Sequence, residues 1–118
     1  MKRKVYAIDF DGCLSLGDFP NCGPANRELV NVIKSIIAKP IEKRSVWLVL
    51  WTSRTGKYLV DAIEWLKNQG IIFDSVNSLP SKVFSFPDTS RKLWADAYVD
   101  DKAMSPEQFC EFIQDGYE

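Results

Sequence analysis

Three runs of consecutive apolar residues are each cut off by a polar side chain: Val5-Tyr6-Ala7-Ile8 before Asp9, Val46 to Trp51 before Thr52, and Ala97-Tyr98-Val99 before Asp100. A strand with one wet face alternates apolar and polar residues. Continuous apolar character instead predicts strands of a parallel sheet covered on both faces. Ile71-Ile72-Phe73 before Asp74 is a weaker fourth strand candidate.

Helical patterns lie between the runs. Leu29, Ile33, Ile36 and Ile37 recur at helical spacing until Pro40 stops them. Leu59, Ala62, Ile63 and Leu66 form a second stripe, closed by Gly70 at the position expected just past a helix end. Ser105-Pro106-Glu107-Gln108 offers an N-cap, a first-turn proline and a capping-box partner, so a helix is expected from about Pro106 to Ile113. Strands alternating with helices imply right-handed β-α-β units and a three-layer α/β/α, Rossmann-like, doubly wound sheet. Ligands of such sheets bind beyond the carboxyl ends of the strands, where Asp9, Thr52 and Asp100 would gather. The stretch from Asp74 to Asp96 has no clear period and is expected to be mostly loop.

Composition narrows the chemistry. The 118 residues suit one domain, 1–118, with a real hydrophobic core, and 46% hydrophobic content with a net charge of -1 is that of an ordinary globular protein. The apolar stretch after Lys2-Arg3-Lys4 is too short for a signal sequence or a membrane span, so a cytoplasmic protein is expected. Cys13, Cys22 and Cys110 show no zinc-knuckle spacing and are read as reduced thiols. Histidine is absent, which excludes Ser-His and Cys-His nucleophilic pairs and His-based metal sites. Catalysis must therefore come from carboxylates, Lys, Arg and hydroxyls. Near-neutral charge argues against a broad cationic nucleic-acid face, though Arg54, Lys57, Lys82, Arg91 and Lys92 could make a local patch.

Asp9-Phe10-Asp11-Gly12 sets two carboxylates two residues apart straight after a buried strand, with Gly12 permitting a turn. Carboxylates so close repel unless a cation or a shared proton neutralises them, and oxygen-only ligands favour Mg²⁺. Asp100-Asp101 would bring a second acidic pair to the same edge. Solvated turn residues explain either pair alone, but poorly explain both together. Trp51-Thr52-Ser53-Arg54 ends the central run with two hydroxyls and a guanidinium, groups that suit phosphate oxygens or, equally, a helix N-cap.

Asp9-Phe10-Asp11-Gly12-Cys13-Leu14 resembles the first motif of the haloacid dehalogenase superfamily, Thr52 resembles its second, and Val99-Asp100-Asp101 resembles its fourth. The resemblance runs from residue 5 to about 103. Cys13 departs from the threonine common at its position, a difference expected to matter for packing. The family's motif lysine has two candidates, Lys82 and Lys92. The segment from Arg91 to Asp101 favours Lys92, because it resembles the compact arrangement of the deoxyribonucleotidase branch.

The resemblance implies a Mg²⁺-dependent phosphomonoester hydrolase. Asp9 would accept the phosphoryl group, and Asp11 would protonate the leaving oxygen, which requires neighbours that favour its protonated form. Mg²⁺ would be held by Asp9, the Asp11 backbone carbonyl and Asp101, with Asp100 supporting. Thr52 and the motif lysine, with Ser53 and Arg54, would hold the phosphoryl oxygens. The segments where that family inserts cap domains are short here, so a capless, open site is implied, one that takes macromolecular phosphates or borrows a lid from a partner subunit. Arg54 resembles an arginine of polynucleotide kinase-phosphatases, a pointer to nucleotides or nucleic-acid ends. Phe19, Phe84, Phe86 or Trp94, if exposed, could stack on a base. Two other readings stand beside this one: a receiver-like phosphoacceptor domain, whose motif order differs, and a non-catalytic binding module on the same fold.

Overall fold

A computed structural model of the chain describes residues 4–78, 97–99 and 105–114. The apolar runs form the expected parallel strands: β1 (Lys4–Asp9), β2 (Val46–Trp51) and β4 (Ala97–Val99). A two-residue strand, β3 (Ser75–Val76), completes a four-stranded sheet in the order β3-β2-β1-β4. Asp9 pairs in register with Trp51, and Ile8 with Val99, so the three longer strands end together.

The helices follow their sequence signals. Helix α1 (Arg27–Ile37) is capped by Asn26, whose side chain accepts a hydrogen bond from Leu29 N. Helix α2 (Gly56–Asn68) ends where Gly70 turns at φ 84°, with Gly70 N donating to Lys67 O and Ile71 N to Leu66 O. That paired closure satisfies carbonyls a helix end would otherwise leave bare. At α3 (Pro106–Gln114) the capping box is reciprocal: Gln108 N donates to Ser105 Oγ and Ser105 N to Gln108 Oε1.

The fourth strand lies elsewhere than expected. Ile71, Ile72 and Phe73 do not pair in the sheet; Ile71 is instead buried in the core beside the end of α2. The cause is Asp74, whose Oδ2 accepts from Leu48 N at 2.8 Å while its backbone N donates to Leu48 O. Arg44 donates to the same carboxylate from both Nη atoms. This anchoring sets the register Val49↔Ser75, so pairing begins only after Asp74.

Alternation along the strands gives the sheet two buried faces. Tyr6, Ile8, Val46, Leu48 and Leu50 pack with residues of all three helices, and Tyr6 meets Phe109 edge-on at 5.4 Å. Val5, Ala7, Trp47 and Val49 form a second cluster on the opposite face. The three described helices all pack on the first face, yet both faces are buried, which explains why the strands read as unbroken apolar runs. No described helix is long and apolar enough to cross a membrane. Connections β1-α1-β2-α2-β3 step one way across the sheet, whereas β4 lies on the other side of β1. The topological switch point therefore falls between β1 and β4, at the end of the strand that carries Asp9.

Candidate active site

Asp9 ends β1 half-buried, and Oδ1 accepts from the backbone N of Phe10 at 2.8 Å. Phe10 is fully buried and turns into the core, so Asp9 and Asp11 stand outward on either side of it. Gly12 follows at φ 76°, a left-handed conformation that favours glycine, and its N–H bonds Ser15 O. Cys13 is buried with Sγ 3.5 Å from Val99 O, a packing position tying β1's exit to β4.

From Ser15 to Ala25 the chain makes a short excursion closed at its base. Ser15 bridges Ala25, Leu16 N donates to Pro24 O, and Gly23 N donates to the buried Ser15 Oγ at 2.8 Å. Gly17 and Gly23 meet backbone to backbone, and a Cβ on either would collide with the other's Cα. The excursion forms a small flap.

Arg54 is the largest fully buried side chain of the described structure. Its Nε donates to Asp11 Oδ2 at 2.8 Å and its Nη2 to Asp11 Oδ1 at 2.7 Å, a bidentate pair. Nη1 also donates to Tyr58 O at 3.1 Å and Nη2 to Asn21 O at 3.4 Å. The guanidinium lies between two rings, 4.8 Å from the centre of Phe10 and 5.0 Å from that of Phe19. The Asp11 side chain stays 28% exposed while that of Arg54 is fully enclosed. Hydrogen bonding to Asp11 raises the Arg54 pKa against the opposing effect of desolvation, so the group stays cationic. Burial raises the neighbouring Cys22 above its ordinary value, outweighing Arg54, so this sulfur is a thiol rather than a nucleophilic thiolate.

This corrects two expectations. Arg54 does not offer a planar fork to a phosphate, because its donors are directed to Asp11 and to carbonyls of the flap and α2. Nor is Asp11 in surroundings that exclude charge; the group across both its oxygens is a permanent cation.

Thr52 is buried directly after β2, one register step beyond the Asp9–Trp51 pair. Its Oγ1 accepts from Arg54 N at 3.1 Å, which leaves the hydroxyl hydrogen available to another acceptor. Asn77 fixes its backbone from both sides: Oδ1 accepts from Thr52 N and Nδ2 donates to Thr52 O, each at 2.8 Å. Asn77 adopts φ 54° to do so. Ser53 is exposed, and α2 begins just beyond with no side-chain cap and no acidic residue in its first turn. A helix start of that kind favours an anion.

Asp9, Asp11, Thr52 and Ser53 thus border one sheet edge. Lys82, Lys92, Asp100 and Asp101 lie outside the described residues, as do Phe84, Phe86 and Trp94. Among the described residues no three acidic or cysteine side chains converge. Of the oxygen donors that the resemblance assigns to Mg²⁺, the Asp9 carboxylate and the Asp11 backbone carbonyl belong to described residues. Oxygen donors of this kind fit Mg²⁺.

No protein-family model and no curated protein matches the chain. A solved structure does: a conserved protein from Bacteroides thetaiotaomicron, with 30% sequence identity and a TM-score of 0.74, aligned over 97% of this chain and 92% of that one. The chain belongs to the family of that protein. Agreement over nearly the full length of both gives the two chains the same α/β architecture.

Ser15 and Asn77 went unnoticed in the sequence. The signal for Asn77 was present: asparagine tolerates left-handed backbone better than most residues, and here it follows a strand end at the carboxyl edge.

Proposed function

We propose that the chain is a Mg²⁺-dependent phosphomonoester hydrolase that passes the phosphoryl group through Asp9. The observation that carries this reading is the position of Asp9. It ends β1 at the topological switch point, one register step short of Thr52, and an acid two residues on is fixed by a buried guanidinium.

The residues divide the work accordingly. An oxygen of Asp9 attacks phosphorus, the ester oxygen departs, and an aspartyl-phosphate forms, so one hard displacement becomes two easier ones. Asp11 passes to the departing oxygen a proton brought by the phosphomonoester monoanion, because its own carboxylate starts paired with Arg54. Water then attacks the acyl phosphate and returns a proton to Asp11, which restores Asp9. Each Asp11 oxygen keeps lone-pair capacity beyond its bond from Arg54, so the pair orients the acid without closing it. Thr52, held by Asn77, directs its hydroxyl to a phosphoryl oxygen, and Ser53 and the start of α2 add donors beside it.

Mg²⁺, when bound, supplies charge neutralisation for the phosphoryl oxygens and the carboxylates. Asp9 and the Asp11 carbonyl would hold it, with Asp101 as a further ligand and Asp100 behind. Lys92, rather than Lys82, is the lysine assigned to the phosphoryl oxygens. Phosphorylated small molecules or macromolecular phosphates are the substrate class, the location is cytoplasmic, and a homo-oligomer would be one way to cover an open site.

The test is hydrolysis of a generic aryl phosphate by the purified chain with Mg²⁺. Turnover that stops on addition of EDTA and returns with excess Mg²⁺ supports the reading. Turnover indifferent to chelator overturns the metal assignment, and no turnover of any phosphomonoester overturns the activity.

A further inference from the structure

Phe19 is 55% exposed and Tyr58 44% exposed, although both are large rings. They meet edge to face, with centroids 5.2 Å apart. Phe19 comes from the flap and Tyr58 from the first turn of α2, so the pair bridges the two segments that border the site. Phe19 lies over the guanidinium that holds Asp11, which puts the pair beside the proposed acid.

Covering Arg54 explains only part of this. Phe10 covers the other side of the same guanidinium while fully buried, as an ordinary packing residue does. Phe19 leaves more than half its surface in water, beside a second exposed ring. Two large rings left partly in water and in contact with each other, one of them over a buried cation, offer an apolar face at the edge of the site. A cation on one face of Phe19 also draws electron density away from the ring, which improves the outer face as a partner for an electron-rich aromatic system.

We infer that Phe19 and Tyr58 form a stacking platform for a flat aromatic ring on the leaving group of the substrate. The favoured substrates are then phosphomonoesters carrying such a ring, with nucleoside monophosphates as suitable probes. The inference rests on the phosphohydrolase reading for its placement at the leaving-group side, and its recognition step can be tested without turnover.

The experiment compares adenosine 5′-monophosphate with ribose 5-phosphate, which share the same phosphorylated primary hydroxyl and differ by the base. One stacked base contributes about 5- to 150-fold, so kcat/KM should favour the nucleotide by that factor. In Phe19→Leu and in Tyr58→Leu the ratio should fall toward one. The ratio cancels any general damage to the phosphoryl site, because both substrates use it. Tyr58→Leu also keeps the backbone carbonyl that Arg54 uses, so it serves if Phe19→Leu does not fold.

Calorimetric binding of both compounds to Asp9→Asn repeats the comparison without catalysis. Tighter nucleotide binding that depends on either ring, with no hydrolysis by the wild type, would leave the platform standing and remove the phosphohydrolase reading. Equal affinity for the two compounds, or a nucleotide preference untouched by both substitutions, overturns the platform.

Discussion

Replacing Arg54 by Met keeps an unbranched apolar stem between Phe10 and Phe19 and removes every charged donor. In the native chain, two charge-assisted bonds of 2.8 and 2.7 Å join Arg54 to Asp11, and another reaches Tyr58 O. Breaking a fully buried ion pair by removing one partner costs about 3–5 kcal/mol, mostly because a charge is left stranded. Asp11 is 28% exposed, however, so water can take over part of its solvation. The loss should therefore lie near the value for hydrogen bonds to a charged group, about 2–3 kcal/mol.

Each kcal/mol lowers the midpoint of a domain of this size by about 4 °C, so Tm should fall by roughly 8–12 °C. Urea unfolding of wild type, Arg54→Met, Asp11→Asn and the double variant would give the coupling directly. The coupling energy should be at least about 1.5 kcal/mol, far above the error of such cycles. Arg54→Lys should fall between, since an ammonium keeps the charge but not the fork. A wild-type-like Arg54→Met, or a coupling indistinguishable from zero, would refute the claim that this pair organises the site.

Asn77→Ala should destabilise the chain by about 1–2 kcal/mol by releasing both bonds to Thr52, and should lower kcat more than it raises KM; urea midpoints and steady-state kinetics check both. Lys92→Ala should lower kcat by about 10²-fold while Lys82→Ala stays mild, and the opposite ranking in parallel assays would reassign the lysine. Burial, reinforced by Glu28, pushes the Cys110 thiol up from its ordinary 9.0 to about 12. The folded chain therefore keeps this proton after the unfolded chain has lost it, and stability should decline by up to ~1.4 kcal/mol per pH unit from pH 9 upward. Cys110→Ala should show a shallower alkaline decline in urea midpoints, and identical slopes would contradict the assignment.

Local signals carried most of the architecture. The strands were legible because burial on both faces demands unbroken apolar runs, and the helix ends because Gly70 and Ser105-Gln108 act through neighbours a few residues away. What the sequence hid was long-range. The start of β3 depends on Asp74 reaching Leu48, and the role of Arg54 on a carboxylate 43 positions away in the chain. Composition and spacing mark Arg54 as a phosphate donor as readily as an internal clamp. Only the enclosure of its guanidinium by Phe10, Phe19 and the flap separates the two. Thr52 and Asp9 were legible as site residues because each ends a buried run, whereas Asn77 acts through side-chain bonds that no period announces.

The central claim is that Asp9 itself carries the phosphoryl group, and borohydride trapping tests it most directly. The wild-type chain, quenched during Mg²⁺-dependent turnover of an aryl phosphate and treated with borohydride, should yield homoserine at position 9 by peptide mass spectrometry, because an acyl phosphate is reduced where a free carboxylate is not. Asp9→Asn should yield none and turn over no substrate. Homoserine at another aspartate, or full turnover in Asp9→Asn, would contradict the account.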